Sequence, residues 1–165
     1  MNSAKISAAE VLQRLNAEHL TLCTAESCTG GLVGKLITDV PGASSVYVGG
    51  VISYTNEVKH RVLGVSRDTL AQHTAVSAET AGEMARGARR MLGADVAVSV
   101  TGLAGPDGDG TGRPVGLVYI ALDRAAGCLV QELHLTGDRA AVREAAAQAI
   151  FALLLEALSN SEECL

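Results

Sequence analysis

Aromatic residues are nearly absent from this chain of 165 residues: one Phe, three Tyr and no Trp. A core must therefore be built from Val, Leu, Ile and Ala. A surface that stacks exposed bases has little to work with. Positive charge is also short. Lys and Arg total 13 against 18 Asp and Glu, a formal net charge of −5. That excludes a general polyanion or anionic-membrane binder, though not a local pocket for one phosphate. No apolar run approaches the roughly 18 residues that would cross a bilayer. The four cysteines, Cys23, Cys28, Cys128 and Cys164, form no C-x-x-C pair and have no histidine at zinc spacing. No cluster of His or carboxylates reads as a metal site, so neither metal nor cofactor is expected. Met1 to Glu10 has no basic stretch followed by an apolar one. The expectation is a cytoplasmic protein without nucleic-acid or membrane partners.

What is present is periodic. Ala8, Val11, Leu12 and Leu15 recur at helical spacing after Ser7, which suits an N-cap. His19 to Ala25 is short and strand-like, Glu26 to Gly31 is a turn, and Leu32 to Val40 returns to a helical pattern stopped by Pro41-Gly42. Ser45 to Tyr54 reads as a strand, with Gly49-Gly50 marking a bulge or a close backbone approach. Thr55 to Leu63 reads as a short helix, Ser66 to Thr69 begins another, and Ser77 caps a longer one through Met91. Ala94 to Val100 is the clearest buried strand. Val115 to Leu122 and Cys128 to Leu135 follow as strands, and Arg139 to Leu158 as a final helix. Ala145, Ala149, Leu153 and Leu154 suggest its sheet-facing side, and 160–165 reads as a frayed tail. The order predicts one three-layer α/β/α domain with a mixed β-sheet over residues 1–165, its core at about 7–158.

Three segments at predicted strand ends carry the unusual residues, and ligands in such sheets bind at the carboxyl ends of strands. In the first, Ala25-Glu-Ser-Cys-Thr-Gly-Gly31, a hydroxyl sits at a strand-to-helix turn. The free N–H groups of the helix N-terminus could hold an oxyanion there. The plainer reading is that Ser27 or Thr29 caps the helix. Neither a G-x-S-x-G elbow nor a phosphate-binding G-x-x-x-x-G-K-[ST] loop is present. In the second, Tyr54-Thr-Asn-Glu-Val-Lys59, Lys59 lies one turn into a short helix. A desolvated lysine can serve as a base toward a serine; a lone lysine is more often an exposed one. The third, Thr101 to Gly112, holds five glycines beside Pro106 and exposes backbone N–H groups. Its Asp107 and Asp109 suit solvent better than phosphate. His60 and His73 offer a rival base for Ser27, but His60 adjoins Lys59 on one helix and His73 carries no motif.

In order along the chain, Thr24-Ala-Glu-Ser-Cys-Thr-Gly-Gly31, Tyr54-Thr-Asn-Glu-Val-Lys59, Gly64-Val65, His73-Thr-Ala-Val-Ser77, Val100-Thr-Gly-Leu-Ala-Gly-Pro-Asp-Gly108, Pro114-Val-Gly116 and Gly137-Asp-Arg139 resemble the CinA C-terminal domain family. That family includes stand-alone nicotinamide-nucleotide amidohydrolases. The resemblance implies hydrolysis of nicotinamide mononucleotide to nicotinic acid mononucleotide and ammonia, in pyridine nucleotide recycling. It implies Ser27 as nucleophile, Lys59 as base and Tyr54 assisting. Substrate binding would fall to Cys28, Thr29, Gly30, Gly31, Asn56, Thr101, Gly102 and Gly105, with the oxyanion on N–H groups near Cys28 or Gly102. Apart from the resemblance, Arg139 and Arg143 at the start of the last helix are candidate phosphate ligands, though salt bridges explain them as readily. The stretch Ser45 to Gly50 departs from a more aromatic family version, and Asp107 to Arg113 receives no catalytic role. Longer members add a pyrophosphatase-like domain, whose activity is not expected of these residues. A non-catalytic nucleotide-binding or regulatory module is the alternative, and a homodimer is compatible with the pattern.

Overall fold

The computed structural model describes residues 6–159; the tail from Asn160 lies outside the described residues. Five strands form one sheet in the order β2-β1-β3-β4-β5. They are β1 (Leu22–Glu26), β2 (Tyr47–Ile52), β3 (Val96–Gly102), β4 (Leu117–Arg124) and β5 (Gly127–His134). β1 pairs in parallel with β2 and β3; β3–β4 and β4–β5 are antiparallel. The sheet is therefore mixed, as the sequence implied.

Six helices cover its two faces: α1 (Ala8–Ala17), α2 (Leu32–Thr38), α3 (Asn56–Leu63), α4 (Arg67–His73), α5 (Ala78–Leu92) and α6 (Arg139–Ser159). Strand alternation sorts the core between them. Leu22, Val96, Val98, Val100, Val118 and Ile120 face α1, α2 and α6, where they meet Leu15, Ile37 and Phe151. Cys23, Ala25 and Ala97 point the other way, against Leu63 of α3 and Met84 and Ala88 of α5. Small residues line this second face, and Ser99 Oγ on β3 reaches the carbonyl of Ala81 on α5 at 2.6 Å.

The caps explain most boundaries. Ser7, Thr55, Ser66 and Ser77 each accept a backbone N–H at the start of their helices. Gly64 and Gly93 end α3 and α5 in the left-handed region at φ 71° and 66°. Three details differ from the sequence reading. β1 starts at Leu22 because His19 turns left-handed (φ 56°) to close α1. β2 is shorter at both ends, since 43–45 forms a 3₁₀ turn and the pairing stops at Ile52. On α6, Leu153 and Leu154 are buried as expected, but Ala145 and Ala149 are half-buried, and in the first half of the helix the buried stripe runs through Val142, Ala146, Ala147, Ile150 and Phe151.

The glycine pair in β2 answers to both of its predicted roles. The pairing slips between Leu22 and Cys23, so that Tyr47 and Gly49 take successive partners and Val48 is bulged out. At Gly50 a Cβ would lie 2.2 Å from Thr24 Oγ1 and 2.6 Å from the Tyr47 hydroxyl, so only glycine fits.

Candidate active site

The carboxyl ends of the three parallel strands β2, β1 and β3 lie side by side, and the three unusual segments converge there. They enclose a cavity of about 290 Å³. Its lining comprises Ser27 and Cys28 after β1, Tyr54 and Lys59 after β2, Ala75 and Val76 before α5, Thr101 to Gly105, Asp107, Gly108 and Asp109 after β3, and Arg139 at the start of α6.

Strand alternation continues past the end of β1 and decides where its last side chains go. Cys23 and Ala25 face the α3–α5 layer. Ser27 prolongs that set, its N–H held by the carbonyl of Val100 at 2.9 Å. Lys59 approaches from the same layer. It sits one turn into α3, above Leu63, and both side chains point inward at 1% exposure. The axis of α3 can pass this close because α5 carries Gly87, where a Cβ would fall 1.8 Å from the carbonyl oxygen of Leu63.

Lys59 Nζ donates to Ser27 Oγ at 2.7 Å and to the carbonyl of Ser53 at 2.7 Å. No carboxylate pairs with Lys59 among the described residues. Burial without a counter-charge favours the neutral amine and brings its pKa from 10.5 down to about 8, with Cys28 opposing slightly. Burial drives the Cys28 thiol up, to about 11, so it stays protonated. Cys23 is also a protonated core residue, pushed up to about 12. Ser27 is 8% exposed, enough to face the cavity.

The remaining candidates separate into two groups. Thr101, Gly102 and Gly105 line the cavity. Thr101 Oγ1 donates to the carbonyl of Ala75 and fixes the opposite wall at 2.7 Å. At Gly102 a Cβ would meet Val118 Cγ2 at 2.6 Å and Leu117 O at 2.7 Å. Tyr54 is at the rim and is 59% exposed; its hydroxyl accepts from Arg139 Nη2 at 3.1 Å, and it makes no hydrogen bond to Lys59. By contrast Thr29, Gly30, Gly31 and Asn56 are not in the lining. Asn56 is exposed on the first turn of α3. Thr29 is fully buried and donates to Glu26 Oε2 at 2.6 Å.

The helix N-terminus after Ser27 is not free, contrary to the sequence reading. Gly31 is the N-cap of α2, and neither Ser27 nor Thr29 caps the helix with its side chain. Its N–H groups are taken by the carboxylate of Glu26: Gly31 and Val33 donate to Oε2 at 3.0 and 3.1 Å, and Gly34 to Oε1 at 2.9 Å. Gly30 and Gly31 are left-handed (φ 57° and 100°) to turn the chain around that carboxylate. Glu26 escaped the sequence reading, although an acidic residue closing a buried strand before a Gly-Gly turn was the signal.

The arginines of α6 are tied to carbonyls rather than to acids. Arg139 Nη1 donates to Gly105 O at 2.7 Å, and Arg143 Nη2 to Thr29 O at 2.8 Å. Arg113 donates to Thr74 Oγ1 and to the carbonyls of Val76 and His73, so the loop excluded from catalysis braces a cavity wall. His60 bonds Val65 O through Nδ1 at 2.8 Å, and His73 lies 3.6 Å from Glu79. Neither bonds Ser27. Among the described residues no group of three or more His, Cys, Asp or Glu could hold a metal ion, and no helix is long and apolar enough to cross a membrane.

The sheet order, the two helical layers and the buried serine–lysine pair define a small α/β domain with its site at the carboxyl edge of a parallel β2-β1-β3 core. The chain belongs to the CinA C-terminal domain family, whose profile matches residues 4–158. A CinA-like protein of Geobacter sulfurreducens is 53% identical over 124 residues, 75% of this chain and 30% of that protein. One of Syntrophomonas wolfei is 48% identical over 139 residues, 84% of this chain and 33% of its own length. The chain thus spans about a third of the curated relatives it matches. Crystal structures agree over the whole domain. A competence-damaged protein (CinA) superfamily protein from Klebsiella pneumoniae superposes with TM-score 0.91 at 36% identity, covering 93% of this chain and 96% of that one. A competence/damage inducible protein from Agrobacterium tumefaciens does so with TM-score 0.87 at 39% identity, covering 92% and 93%.

Proposed function

We propose that this domain is an amidohydrolase that converts nicotinamide mononucleotide to nicotinic acid mononucleotide and ammonia. The observation that carries the reading is the contact of Lys59 Nζ with Ser27 Oγ at 2.7 Å, in a buried setting that favours the neutral amine. A module that only binds a nucleotide has no use for a desolvated lysine held against a serine hydroxyl.

The chemistry runs as a two-step acyl transfer. Ser27 Oγ attacks the carboxamide carbon while neutral Lys59 accepts the hydroxyl proton. The tetrahedral intermediate collapses with cleavage of the C–N bond, and the lysine proton goes to the departing nitrogen as ammonia leaves. Water then attacks the acyl-serine, giving one proton to Lys59, which returns it to Ser27 Oγ as the acid is released. The developing oxyanion needs donors on the cavity side of Ser27. The Cys28 N–H, which donates to no other described residue, and the loop that follows Thr101 supply them. Arg139 is the cation at the cavity mouth suited to the nucleotide phosphate.

Ammonia release from nicotinamide mononucleotide, compared among wild type, Ser27→Ala and Lys59→Ala, tests this. Turnover by wild type with a loss of roughly a thousandfold or more in both variants is expected. No ammonia from wild type overturns the reading in favour of a binding or regulatory module. Activity that survives Ser27→Ala keeps an enzyme but discards this mechanism.

A further inference from the structure

Glu26 is 2% exposed and has no cation for a partner among the described residues. A carboxylate in such a place is costly unless donors surround it. Four do: Thr29 Oγ1 and the N–H groups of Gly31, Val33 and Gly34, at 2.6–3.1 Å. These donors all follow Glu26 within eight residues. The carboxylate is therefore the hub around which the whole turn from β1 into α2 is wound.

Two features connect that hub to the reactive pair. Glu26 and Ser27 are consecutive but lie on opposite sides of the sheet end, one toward α2 and the other toward Lys59. Fixing the first side chain fixes the direction of the second. The main chain of Glu26 also holds the base: its carbonyl accepts the Ser53 N–H at 2.7 Å, and the carbonyl of Ser53 accepts from Lys59 Nζ at 2.7 Å. Glu26 is thus the residue next to Ser27, and two hydrogen bonds away from Lys59 through Ser53. Its charge does not hold Lys59 protonated, because the carboxylate is turned to α2 and consumed there.

We infer that Glu26 is a positioning residue for the Ser27–Lys59 pair, acting through the α2 N-terminus that its carboxylate occupies. The inference rests on Ser27 being a nucleophile, not on the identity of the substrate. Glutamine is not a conservative replacement: its amide has one acceptor oxygen and brings an N–H pair to a place already filled with donors. The reacting geometry then loosens while the rest of the cavity wall, which comes from the segments after β2 and β3, the residues before α5 and the start of α6, stays in place.

The test compares wild type, Glu26→Gln and Thr29→Val by kcat and KM for nicotinamide mononucleotide, and by the rate at which a fluorophosphonate labels Ser27. In Glu26→Gln, kcat and labelling fall together by roughly tenfold to hundredfold, the scale of a misplacement of about an ångström. KM changes by less than about threefold, and the pH at which labelling is half-maximal stays within about half a pH unit of wild type, since the base is untouched. Thr29→Val, which removes one of four donors and keeps the fold if the glutamine variant does not, lowers both rates by at least about threefold. Labelling within twofold of wild type in every folded variant overturns the inference. So does a change confined to KM, or a Ser27 that takes no label in wild type. Labelling that depends on Glu26 in a protein that releases no ammonia keeps it and discards the substrate.

Discussion

Lys59 and Ser27, 32 residues apart, are joined by a 2.7 Å hydrogen bond that no counter-ion shares. In the proposed mechanism the pair works only when the amine has lost its proton, and burial favours that loss. With a pKa near 8, on the order of a tenth of the sites are neutral at pH 7. The rate limb this produces rises with pH: kcat/KM climbs about tenfold per pH unit below pH 7 and levels off above about 8. A profile measured from pH 6 to 9.5 checks it. A flat line through pH 7 to 8 would remove Lys59 as the base.

The same burial has a stability consequence of defined sign. The folded-state pKa lies below the unfolded value of 10.5, so the folded chain binds fewer protons between about 8 and 10.5. The cost of burying the cation is fully present below pH 8 and is relieved as pH rises toward 10.5. Lys59→Met removes that cost. Relative to wild type, the variant's stability should decline by at most about 3 kcal/mol between pH 7 and pH 10, at about 1.4 kcal/mol for each pH unit that separates the folded and unfolded pKa values. Thermal melts of both proteins at the two pH values read this difference directly. A variant whose stability rises relative to wild type over that range would contradict a lysine buried neutral.

Much of this arrangement was legible in the sequence because local signals agree with the global fold. Ser7 and Ser77 cap helices where their spacing said they would, α4 starts at the Ser66 to Thr69 segment, and Ala94 to Val100 marked the strand that carries Thr101 to the site. Tyr54, Thr101 and Gly105 fell at strand ends, where a cavity forms. Other features lay beyond sequence reasoning for physical reasons. Thr29 looks like a candidate ligand until the turn after β1 buries its hydroxyl against Glu26, whose carboxylate strand alternation points toward α2. The carbonyls that hold Lys59, Arg139 and Arg143 belong to the backbone and leave no trace in residue identity. The one-residue offset at Ala145 and Ala149 reflects an alanine-rich helix whose apolar residues surround much of its circumference, so that packing, not pattern, decides which alanines are buried.

Gly87 is a packing residue with a functional address. A Cβ there would overlap the Leu63 carbonyl at 1.8 Å, against backbone that cannot rotate away. Gly87→Ala must push α3 outward, and Lys59 with it. A loss of roughly 1–3 kcal/mol is expected from such overpacking. Activity should fall further than stability, because the Nζ to Oγ contact tolerates little displacement. The control is Gly93→Ala, where nothing lies within 4 Å of a Cβ but φ is 66°. It should lower the melting temperature by a comparable strain and leave kcat within twofold. Equal kcat losses in the two variants would separate α3 from the placement of the base.

Tyr54 divides two accounts of the rim. As a proton relay it would need to reach Lys59 or Ser27; instead its hydroxyl is bound to Arg139 at 3.1 Å, and Arg139 also holds Gly105 O at 2.7 Å. Tyr54→Phe leaves the second bond intact and removes an exposed one, worth about 1 kcal/mol or less. It should therefore lower kcat by less than about tenfold, with part of the effect in KM. Arg139→Ala releases both Tyr54 and the Gly105 loop, and takes away the cation at the cavity mouth. Its KM for the mononucleotide should rise by tenfold or more, the scale of a charge-assisted bond to phosphate, while the uncharged nucleoside is handled by variant and wild type alike. Steady-state kinetics on the two substrates separates these outcomes. A fall of a hundredfold or more in kcat for Tyr54→Phe would restore the phenol to the proton path, and an equal loss on nucleotide and nucleoside for Arg139→Ala would make the arginine a brace for the loop, not an anchor for the phosphate.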